Sequence, residues 1–163
     1  MTPTIDFIYN YEYAKRIQGL NDELFADPWQ RIIRIGGDFE KLFDSRLGRI
    51  LELVSRYSGY EWDAQTDAYI PVYMIGAAPS FVQPLSLAVD EDAEAMLTDC
   101  IYQLAHRNMH VGFPSDDARH RMVTAVTAHV LRELGAETEP SQFDLNKNPA
   151  KHYIESSHGH RTH

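Results

Sequence analysis

The sequence predicts a single α+β domain over residues 1–135, followed by a polar C-terminal tail at 136–163. Three observations predict it. Apolar residues recur at intervals of three and four in the segments 38–57, 91–110 and 116–135, the period of an amphipathic helix. Two short segments between the first and second of these, 68–76 and 84–89, are rich in Ile, Val, Leu and Tyr and read as strands. The length of 163 residues suits one domain of ordinary size.

The elements follow in order. "FIYNYEYAKRIQGL" predicts a short helix with Phe7, Tyr11 and Ile17 on one side. "DPWQRIIRIGG" predicts a second, with Pro28 in its first turn and Gly36–Gly37 as its stop. A long helix over 38–57 starts at Asp38 as N-cap and carries Phe39, Leu42, Phe43, Leu47, Ile50, Leu51 and Val54; Gly59 stops it. "AYIPVYMIG" is the first strand. Its Pro71 removes a ladder donor and so favours an edge position. "PLSLAV" alternates, with Leu85, Leu87 and Val89 on one face, and is the second strand. The helix over 91–110 has Glu91, Asp92 and Glu94 in its first turn, where negative charge suits the dipole. Its apolar stripe is Met96, Leu97, Cys100, Ile101 and Leu104. Ser115 caps a last helix, 116–135, with Met122, Val123, Val126, Val130 and Leu134 inward and Gly135 at its end. The tail after Gly135 has few apolar residues.

Composition narrows the function classes. Hydrophobic residues make up 44% of the chain and charged residues 24%, enough for a core and against wholesale disorder. The net charge of −9 argues against general binding to nucleic acid or to an anionic membrane, and suits a cation or a basic partner. The lone cysteine, Cys100, excludes an internal disulfide and reads as a small core hydrophobe, which fits a reducing compartment. The N-terminus lacks the pattern of a signal peptide, and no apolar run approaches ~18 residues. The expectation is a cytoplasmic protein. There is no internal repeat, no glycine-rich phosphate loop, no C-x-x-C pair and no G-x-S-x-G.

The stretch "IYQLAHRNMHVGF" at 101–113 carries the one pattern with metal-ligand spacing. His106 and His110 are four apart, so on a helix they lie about 40° apart and one turn along. Two imidazoles so placed can hold one ion from the same side; a zinc site then needs a third protein ligand and keeps one position for water. Both point away from the apolar stripe of their own helix. On the last helix, His129 and Glu133 lie on one flank of the stripe and His120 on the other, and all three can reach a neighbouring helix.

The order of a long helix, two strands, a helix ending in "QLAHRNMH" and a further helix, "ARHRMVTAVTAHVLREL", resembles the zincin fold of the smallest gluzincin-like metallopeptidases. The resemblance covers residues 38–135. It implies a small sheet with an edge strand lining a cleft, packed on long helices. His106 and His110 match the two zinc-ligand positions, and the third ligand comes from the next helix: Glu133 by chemical type, or His129 or His120. Arg107 stands where the family has its catalytic glutamate. That glutamate relays a proton from zinc-bound water to the leaving amine, whereas a guanidinium stays protonated.

The expected function is therefore that of a non-catalytic pseudoenzyme that binds a peptide or protein partner, with zinc as the cofactor to test for. The alternatives are an active zinc-dependent metallopeptidase or hydrolase whose base comes from elsewhere, for instance a glutamate or histidine on helix 116–135, and a small interaction module of unrelated fold. Two further features have plainer readings. His152, His158, His160 and His163 give the tail weak chelating capacity. Tyr9, Tyr11, Tyr13, Phe25 and Trp29 are expected to pack over the core.

Overall fold

The computed structural model describes residues 1–109 and 113–135. His110 and the tail at 136–163 lie outside the described residues. The elements are β1 (Thr4–Ile8), α1 (Tyr11–Gln18), α2 (Asp22–Asp44), α3 (Leu47–Ser58), β2 (Tyr69–Ile75), β3 (Phe81–Val82), β4 (Leu85–Ala88), α4 (Ala93–Asn108) and α5 (Asp116–Glu133). The expected α+β class holds: among the described residues, five helices pack with a four-stranded mixed sheet of order β1-β2-β4-β3. No helix among the described residues is long and apolar enough to cross a membrane.

The sheet corrects one expectation. β2 is not an edge strand; it runs parallel to β1 on one side and to β4 on the other. Pro71 is tolerated there because of its register. The Thr4 N–H donates to the Ala68 carbonyl at 3.0 Å, so in the parallel pattern the groups of Ile70 and Val72 face β1. Pro71 turns its missing donor to the opposite side, where β4 pairs only from Tyr73 onward. The edges are β1 and the two-residue β3, neither of which the sequence reading found. β1 has a legible signal in "TIDFI", where Ile5 and Phe7 alternate with Thr4 and Asp6.

The glycine pair also departs from expectation. Gly36 and Gly37 do not stop a helix, Asp38 is not an N-cap, and Pro28 lies in a helix interior. α2 starts on Asn21, whose side chain accepts from the Leu24 N–H at 2.9 Å, and continues to Asp44. Two glycines weaken a helix by about 1 kcal/mol each relative to alanine. Yet Ile32, Ile35, Phe39 and Phe43 form one buried stripe across them, and that packing prevails. Gly36 has a packing role: a Cβ there would lie 2.7 Å from the Tyr9 hydroxyl oxygen, whereas one at Gly37 would meet nothing within 4 Å. The Tyr9 hydroxyl, close against this gap, donates to Glu40 Oε2 at 2.5 Å.

The remaining boundaries follow ordinary capping. Asn10 caps α1, Asp92 caps α4 and Ser115 caps α5, each side chain accepting from backbone N–H groups of the first turn. Gly59 ends α3 at φ 76°. Cys100 is fully buried, and burial pushes its thiol pKa up. Phe25 lies in the core and Tyr9, Tyr11 and Trp29 pack against it, with the Tyr11 ring edge-on to Phe25 and Trp29 at 5.2 and 5.3 Å, while Tyr13 lies against Tyr73 of β2.

The two helical glycines give a paired prediction. Gly36→Ala lowers stability by about 1–2 kcal/mol because the methyl displaces Tyr9. Gly37→Ala raises it by up to ~1 kcal/mol through helix propensity. Denaturant midpoints of the two variants check both signs.

Candidate functional site

The last two turns of α4 face the first turns of α5. From α4 come Tyr102 and the half-buried His106; from α5 come Arg119 and His120. The rings of His106 and His120 stand 5.6 Å apart between centroids, inclined at 68°. The Tyr102 hydroxyl bonds to His120 Nδ1 at 2.5 Å, and the two rings are parallel within 15°. That bond orients the imidazole and leaves Nε2 for another partner.

Arg119 completes the group. Its guanidinium lies 5.9 Å from the centroid of the Phe113 ring, and its Nε is buried with no hydrogen-bond partner among the described residues. The pKa of His106 is held below its ordinary value, first by burial and then by the neighbouring His120 and the charge of Arg119. The arginine whose charge bears on His106 is thus Arg119. Sequence reading missed it, although a signal was present: Arg119 continues the apolar row of Val123, Val126 and Val130 back to the helix start, where a charged residue is out of pattern.

Arg107 is turned elsewhere. Its Nε donates to Asp67 Oδ1 at 3.1 Å and its terminal nitrogen to the Thr66 carbonyl at 2.8 Å. Asp67 is only 2% exposed, and its other oxygen accepts from the Asp63 N–H at 3.2 Å. This is a buried carboxylate satisfied by a cation and a backbone donor, in the loop that leads into β2.

The structure brings together some of the predicted ligand positions and separates others. His106 and His120 meet across two helices. His129 instead lies against the Tyr57 ring of α3, 4.8 Å between centroids and within 14° of parallel. Glu133 accepts from the Tyr57 hydroxyl at 2.6 Å and faces Arg49 at 3.6 Å. Along α5 these two are about 13 and 20 Å from His120 at the helical rise per residue. His110 lies outside the described residues, as do His152, His158, His160 and His163. Among the described residues no group of three His, Cys, Asp or Glu side chains is placed to hold a metal ion.

The His106 environment sets a pH dependence. Its folded pKa lies below the ordinary 6.5, so folding favours the neutral ring. This contribution is complete above the unfolded pKa and is lost as pH falls through the folded one. Stability is expected to fall between about pH 7.5 and 5.5, above the range where the lowered carboxylates Asp22, Glu52 and Glu91 protonate. His106→Gln flattens that interval, as urea midpoints across it would register.

Compared with known proteins, the chain matches no protein-family model, no curated protein and no solved structure.

Proposed function

We propose that this chain is a non-catalytic binding protein for a peptide or protein partner, with the element order of a zincin-like domain and without its reaction. The observation that carries the reading is the engagement of Arg107 by Asp67. The position that would supply the general base holds a guanidinium, which cannot accept a proton, and that guanidinium is committed to a buried carboxylate. For the enzyme alternative α5 leaves His120 as the candidate base beside His106, since His129 and Glu133 lie against Tyr57, more than a helical turn away.

Zinc is the cofactor that the resemblance implies. His106 and His120 give two described nitrogens, where a structural zinc site takes four ligands and a catalytic one three. Arg119 adds positive charge beside them. His110, the other ligand position that the resemblance implies, lies outside the described residues, and zinc stays the cofactor to test for.

The place of β2 favours a second reading, a small interaction module of a different fold. A zincin-like cleft requires a usable edge strand beside the histidine helix. The edge on the α4 side of this sheet is β3, two residues long.

A peptide library incubated with the full chain and added zinc, then read by mass spectrometry, tests the non-catalytic claim. Peptides are expected to be retained on the immobilised chain and left uncut, and Arg107→Glu is expected to gain no cleavage. Zinc-dependent new termini that vanish in His106→Ala would contradict the reading.

A further inference from the structure

Of the arginines among the described residues, Arg31, Arg34, Arg49, Arg56 and Arg107 each have a carboxylate within 4.0 Å. Those without one, apart from Arg119, are exposed to water. Arg119 is half-buried, has an aromatic ring under it, and keeps a buried Nε with no hydrogen-bond partner among the described residues. A buried donor on a charged group is costly when unpaired, so such groups are nearly always satisfied.

The neighbours of Arg119 are of the same kind. His120 follows it on α5, and His106 faces His120 from α4. Each imidazole can present an N–H, and Tyr102 holds His120 by Nδ1 so that Nε2 is the free nitrogen. Burial is the first cause that lowers the pKa of His106; His120 and Arg119 lower it further, and Asp116 opposes them. In a chain of net charge −9, this junction gathers one guanidinium and two imidazoles as donors, beside Asp116 and Asp117 in the first turn of α5. A cation placed there would meet Arg119. An anion would satisfy it.

We propose that His106, Arg119 and His120 form a binding site for an oxyanion, a phosphate or carboxylate group, at the α4–α5 junction. The guanidinium supplies charge-assisted hydrogen bonds, which are shorter and stronger than neutral ones. The two imidazoles supply further donors from the other helix and from the next residue. The site is independent of the partner-binding reading above, since it rests on Arg119 rather than Arg107.

The test follows the ring resonances of His106 and His120 in the full chain, assigned with His106→Gln and His120→Gln. Reading those two rings separately excludes any response from His152, His158, His160 and His163. Sodium phosphate and sodium acetate are titrated in separate arms at constant ionic strength. The expected result is a saturable shift of both rings with one of the two anions, which also names the ligand chemistry. Arg119→Gln is expected to weaken the response by roughly 10-fold or more, the scale of a hydrogen bond to a charged group. Arg119→Lys, which keeps the charge in a fold closer to the original, is expected to retain a weaker saturable response. Shifts that rise linearly with both anions, or a response unchanged in Arg119→Gln, would overturn the proposal. So would a third arm in which zinc chloride saturates both rings at micromolar concentration while neither anion does.

Discussion

The buried Asp67 carboxylate is the constraint that holds the end of α4 to the loop before β2. Taking a carboxylate out of water is expensive, and it is sustained only by a close cation and further hydrogen bonds. Here Arg107 and the Asp63 N–H provide them, and Arg107 also reaches the Thr66 carbonyl. The pair ties the loop before β2 to the C-terminal turns of α4, 40 residues away in sequence. The rotation of α4 follows from its buried row, which puts Met96, Cys100, Ile101 and Leu104 in the core. With Arg107 directed at Asp67, the preceding residue lies about 100° around the axis and is presented to α5. His106 meets His120 across the α4–α5 junction, on a different side of α4 from Arg107.

Much of the fold is legible in the sequence because helical period and capping are local. Ser115 and Gly59 announce their boundaries through side-chain or backbone chemistry that needs no distant partner, while Asp92, expected inside a first turn, is the N-cap of α4. The misreadings share a cause: each feature was decided by something far away in sequence. Gly36 is a stop signal in isolation, and a packing position once Tyr9 lies against it. Pro71 is an edge signal in isolation, and harmless once β4 begins pairing two residues later. The break between α2 and α3 comes at Ser45–Arg46, without glycine or proline to mark it.

The site divides in the same way. The spacing of His106 and His110 drew attention to the end of α4, and His106 is indeed at the junction. That His120 rather than His129 or Glu133 would face it depends on the angle between two helices, which spacing along one helix does not contain. His129 and Glu133 are occupied by α3, through Tyr57 and Arg49. Arg107 stood out as the residue that breaks a catalytic pattern; its role in the fold is to hold a carboxylate that the sequence reading had passed over. Arg119 carries the charge at the site, and only its place on an apolar row distinguished it.

A double-mutant cycle on Arg107 and Asp67, using Arg107→Ala, Asp67→Asn and the combined variant, measures the central interaction directly. Unfolding free energies from denaturant titration are expected to give a coupling of about 2–3 kcal/mol, with each single variant clearly destabilised, as for an ion pair with one buried partner. A coupling near zero would show that Arg107 is not held by Asp67, and would return it to the histidine face of α4.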